Sequence, residues 1–112
     1  MAVIVLTSTP ATLLDEMKAE MNKHTIETWS VDPDGDFTHT PPQWLKQAWF
    51  RPLIHEDRLV FRILTPQGKK LSRTVYAVYH GRFIEMLLTH FDLKFSGATA
   101  TALPEQGDIV AA

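Results

Sequence analysis

An α+β domain is what this chain predicts, on three observations. The hydrophobic period switches between two and 3.6 along the chain, the elements come in the order strand, helix, strands, helix, strand, and turn residues fall between them. Elements in that order bury their apolar faces as two layers, two helices on one face of a mostly antiparallel sheet of about four to six strands.

Each element has its own warrant. Residues 3–6 (Val-Ile-Val-Leu) form a β-branched run that suits a short buried strand. Thr9 and Pro10 mark a helix start, the Thr hydroxyl as a cap and Pro at the first helical position. Leu13, Leu14, Met17 and Met21 then recur at helical spacing, with Asp15 and Glu16 early and Lys23 late, and the helix should stop between Asn22 and His24. Thr25 to Val31 is rich in β-formers. It leads into Asp32-Pro33-Asp34-Gly35, which fits a type I turn at all four places, so Asp36 to Thr40 returns as the partner strand. Pro41 and Pro42 break that ladder because neither can donate a hydrogen bond.

Gln43 to Arg51 fits either a helical turn or an extended lead-in, followed by a strand that ends at Ile54. Arg58 to Thr65 alternates cleanly, with Leu59, Phe61 and Ile63 on one face. Pro66-Gln67-Gly68 ends it. From Ser72, a capping residue, a helix with a broad apolar face runs to about Asp92. Gly81 inside that helix costs about 1 kcal/mol relative to Ala, which suggests close packing there. Lys94 to Ala102 supplies a final strand. The domain spans residues 1–103, and 104–112, with Pro104 and Gly107, read as a loose tail.

Composition limits the chemistry. The 112 residues include no Cys, which removes disulfides, thiolate nucleophiles and Cys-type zinc sites. The only N-terminal apolar run, Ala2 to Leu6, is too short for a signal-peptide core, and no segment approaches a membrane span, so a soluble cytoplasmic protein is expected. Asp32, Asp34 and Asp36 alternate as calcium loops begin. Gly35 comes too early for an EF-hand, however, and Gln43 stands where a bidentate Glu is needed. None of the histidines, His24, His39, His55, His80 and His90, has a metal-ligand spacing, and no cofactor is expected. His80 and Glu85 stand five apart, about 140° around a helix, so they cannot chelate together. His80 beside Gly81 remains a candidate base for a small enzyme, if a cleft and a second polar group meet it.

Charge is the most informative pattern. The net of −2 conceals an acidic segment, residues 1–36 at −5, and a basic one, residues 37–94 at +5. If Ile54 to Asp57 form a four-residue turn, antiparallel pairing sets Leu53 across from Arg58, Arg51 from Val60 and Trp49 from Arg62. One sheet face then carries Trp49, Arg51, Arg58 and Arg62. Arginine stems commonly shield the solvent side of a sheet, but arginine with tryptophan also makes a binding surface. Trp29, Trp44 and Trp49 serve as core or interface anchors, and at least one should be core.

The stretch Val78 to Asp92, with Thr28-Trp29-Ser30-Val31-Asp32 and Gly35-Asp36-Phe37-Thr38-His39, resembles a group of short, uncharacterised bacterial proteins. The resemblance covers most of the chain and implies a bacterial single-domain protein, with no activity and no site residues attached. The expected function is therefore a non-enzymatic binding module that is monomeric or weakly dimeric and acts through Trp49, Arg51, Arg58 and Arg62. A protein partner comes first. Nucleic acid at the same face is the first alternative and a His80 enzyme the second.

Overall fold

In the computed structural model, which describes residues 2–102, the elements run β1 (Ala2–Leu6), α1 (Pro10–Asn22), β2 (Trp29–Val31), β3 (Phe37–His39), β4 (Trp49–Ile54), β5 (Arg58–Leu64), α2 (Arg73–Phe91) and β6 (Gly97–Ala100). The strands make one antiparallel sheet in the order β2-β3-β4-β5-β1-β6. α1 packs against β2 and β5, and α2 against β1 and β6. The tail expected at 104–112 lies outside the described residues.

One face of the sheet meets the helices. Val3 and Val5 of β1, Leu59, Phe61 and Ile63 of β5, Phe50, Phe37 and Trp29 bury there against Leu13, Leu14, Met17 and Met21 of α1 and Tyr79, Phe83, Met86, Leu87 and Phe91 of α2. Aromatic rings fill the centre. Trp29 stands edge-on to Phe83 at 5.0 Å and to Tyr79 at 5.5 Å, the T-shaped arrangement that ring quadrupoles favour.

Asp32 to Asp36 fold as the sequence prescribes. Gly35 N–H bonds to the Asp32 carbonyl at 3.0 Å with Gly35 at φ +85°, a conformation that glycine adopts without steric cost. The Asp32 carboxylate accepts from the N–H groups of Asp34 and Asp36 at 2.9 and 3.0 Å. That oxygen closes the turn, as an Asx turn does. At α2, Ser72 caps as expected, accepting from Val75 N–H at 3.0 Å.

Several local expectations are corrected. The Thr9 side chain makes no cap bond; instead Thr7 Oγ1 accepts from Thr9 N–H at 3.2 Å and donates to the Lys94 carbonyl at 3.0 Å. Asp15 and Glu16 fall beyond the first turn of α1. Thr25 to Thr28 are not strand, because α1 ends with His24 in the left-handed region, at φ +61°, and turns Thr25 N–H back to the Glu20 carbonyl at 3.1 Å. The strand begins only at Trp29.

Residues 41–47 form consecutive turns rather than a helix or a strand. The Tyr79 hydroxyl donates to the Trp44 carbonyl, and Thr38 Oγ1, 3.1 Å from that hydroxyl, donates to the Ala48 carbonyl, which ties the segment to the core. Gly81 is not closely packed. It is exposed, and a Cβ placed there would meet nothing within 4 Å.

Candidate functional site

The four residues Trp49, Arg51, Arg58 and Arg62 do share a face, the one opposite the helices, although the register differs from expectation. His55 N–H bonds to the Arg58 carbonyl at 2.9 Å, so the β4–β5 loop is the two residues Glu56 and Asp57 rather than four. The pairs become Trp49 with Leu64, Arg51 with Arg62 and Leu53 with Val60. The shift is two residues, and a strand's side chains alternate with period two, so every side chain keeps its face.

Pairing with β1 and β6 completes the surface. Ile4 lies beside Val60 and Thr99, and Leu6 beside Arg58 and Gly97. Rows therefore alternate across the sheet: Trp49 and Leu64; Arg51 and Arg62; Leu53, Val60 and Ile4; Arg58 and Leu6. Leu6 is 44% and Leu53 47% exposed, and Trp49, Val60, Leu64 and Ile4 are half-buried. No helix covers this face among the described residues.

Arg51 and Arg62 stand directly opposite each other, a like-charge pair that disfavours a sheet. Asp36, which precedes Phe37, the partner of Phe50, falls beside Arg51 and offsets that repulsion. It accepts from Arg51 Nε at 3.0 Å and from Nη2 at 2.8 Å. This bidentate bond and the field of Asp36, with smaller contributions from Asp34 and Asp32, raise the guanidinium pKa above its ordinary value. The acidic and basic segments of the sequence are thus folded onto each other, a link repeated by Lys94 and Glu16 at 3.8 Å.

His80 lies elsewhere. It is 3% exposed on the inner side of α2, donates from Nδ1 to the Tyr76 carbonyl at 2.8 Å, and packs edge-on to Phe50 at 5.1 Å. Among the described residues, α2 and the sheet thus enclose the ring almost completely. Sequence reasoning missed a cleft of about 370 Å³ between α2, the start of β2 and the 41–44 turn, where His39, Trp44, Arg82, Glu85 and His90 meet. His39 is 5% exposed. Its Nδ1 donates to the Thr28 carbonyl at 2.7 Å, and burial, outweighing that bond, lowers its pKa below the ordinary imidazole value. The only hint in the sequence is an alternation that aims Phe37 and His39 inward together. Arg82 and Glu85, one turn apart on α2, pair at 3.3 Å along one wall of the cleft.

Compared with protein-family models, curated proteins and solved structures, the chain matches none. Among the described residues no cluster of three or more His, Asp or Glu is placed to hold a metal ion, and no helix is long and apolar enough to cross a membrane.

Proposed function

We propose that the protein is a non-enzymatic binding module whose outer sheet face, with Trp49, Arg51, Arg58 and Arg62, docks a protein partner. The observation that carries this reading is the alternation of apolar and arginine rows on a face that no helix covers among the described residues. A solvated sheet face ordinarily alternates to polar residues. Here β1 is apolar at every position, the pattern of a strand covered on both sides, yet the helices cover only one. An apolar centre with guanidinium groups at its rows fits a partner segment that presents apolar side chains between carboxylates. Arg58 and Arg62, four residues apart on one strand, set those carboxylates about 13 Å apart.

Nucleic acid is the weaker reading of the same surface, because Asp36 already holds Arg51 and the acids of the neighbouring turn lie close by. The test is a selection from a displayed random-peptide library, followed by an NMR titration of the labelled protein with the enriched peptides and, separately, with oligothymidine. Enriched peptides should mix apolar and acidic residues, shift amides of β4, β5 and β1, and lose binding to Arg58→Glu/Arg62→Glu. Peptides that bind this double variant equally, or shift only residues of the cleft, overturn the reading. A salt-dependent shift of the face with oligothymidine alone would favour nucleic acid instead.

A further inference from the structure

The two edges of the sheet differ, and the difference marks a surface independent of the docking face. At one edge β2 has three residues, is packed by α1, and is bounded by Glu27 and by Asp32-Pro33. At the other edge, Ser96 to Ala102 reads Ser-Gly-Ala-Thr-Ala-Thr-Ala. It carries neither charge nor proline, two of the devices that keep edge strands from pairing. Thr101 N–H bonds to the Ala2 carbonyl at 2.8 Å, and bonds alternate along an antiparallel strand. Thr99 therefore also faces β1, while the N–H and C=O groups of Ala98 and Ala100 point away from it. No strand pairs with that side among the described residues.

α2 supplies the second observation. Ala77, Gly81, Ile84 and Leu88 fall within an arc of about 60° on the helix. The opposite flank, with Arg82, Glu85, Met86 and Thr89, lines the cleft on the β2–β3 side. α2 rests on β1 and β6, and the Tyr76 hydroxyl donates to the Thr101 carbonyl at 3.5 Å. The flank turned away from the cleft thus looks out over the β6 edge. Leu88 is 55% exposed there, and a Cβ at the helix-weakening Gly81 would meet nothing within 4 Å among the described residues.

We propose that the β6 edge and this flank of α2 form a two-fold interface with a second copy of the chain. Ala98 of one copy pairs with Ala100 of the other, exchanging both N–H···O bonds, and the two Thr99 side chains meet at the axis, a favourable cross-strand pair. The absence of charge selects self-association. Neutral edges meet without repulsion, whereas the outer faces would bring arginine against arginine. Gly81 and Ala77 let the α2 helices approach, and Leu88 is buried. The two sheets become one.

Sedimentation equilibrium of the full chain tests this. The expected species is a dimer of 12.7 kDa chains. Thr99→Lys places like charges at the axis, and Ala100→Pro removes an N–H that points away from β1. Each should weaken association by about tenfold or more while leaving the near-ultraviolet circular dichroism of the monomer unchanged. Gly81→Leu, whose Cβ meets nothing within 4 Å among the described residues, should do the same. A single chain up to the highest soluble concentration, or a dimer that persists in all three variants, overturns the proposal. So does a monomer whose Ala98 and Ala100 amides exchange slowly, since residues 103–112 would then cover the edge. Arg58→Glu/Arg62→Glu should leave the dimer intact, so failure of the docking reading is separable from failure of this one.

Discussion

The two faces of the sheet are built from the same strands and differ in what they ask of their side chains. The inner face is closed by aromatic contacts in three dimensions: Phe50 and Phe61 lie 4.7 and 4.8 Å from Phe83, and Trp29 touches four rings, those of His39, Phe50, Tyr79 and Phe83. The outer face is ordered in only two dimensions, by cross-strand neighbours. Among the described residues its apolar rows have no layer above them. A substitution inside therefore leaves a cavity, whereas one outside changes a surface and reads out mainly in binding.

The largest effect should come from Trp29→Ala, where a side chain 1% exposed is removed from the ring cluster; loss of about 3–5 kcal/mol in denaturant unfolding is expected. A loss below about 1 kcal/mol would mean that the inner face is not the tightly packed one. Arg51→Ala comes next, at about 1–2 kcal/mol, because it strands the buried Asp36 carboxylate although the guanidinium itself is largely in water. Arg51→Ala/Asp36→Asn should recover part of that loss, and a double-mutant cycle with no coupling would remove the ion pair from the account. Leu53→Asn should be smallest, within about 0.5 kcal/mol, while weakening the enriched peptides severalfold. If Leu53→Asn proved as costly as Arg51→Ala, the outer face would already be covered in solution.

Strand and helix identities were legible because they depend on local chemistry. Period two marks Arg58 to Thr65 as a strand, formed over Arg58–Leu64, and Ser72 and the Asp32 turn announce themselves by residue type. The sharing of one face by Trp49, Arg51, Arg58 and Arg62 survived a register error because parity, unlike register, is insensitive to a shift of two. What stayed hidden depends on distant partners. No local signal says that Asp36 will meet Arg51, that His39 will stand beside Arg82, or that Gly81 has open space before it. Gln43 to Arg51 is ambiguous for the same reason, the turns at 41–47 being tied by the Tyr79 and Thr38 hydroxyls from other elements.

The place of β1 in the sheet has a consequence for how the chain comes into being. β1 is made well before its two neighbours, β5, more than fifty residues later, and β6, just beyond which Ala2 N–H bonds to Thr101 Oγ1, 99 residues apart in sequence. At synthesis rates of about 5–20 residues per second, this apolar strand spends several seconds outside any sheet. The β2–β3 hairpin, closed by its own turn, has no such delay. A nascent chain is therefore most exposed to misassociation in the interval before Arg58–Leu64 emerges.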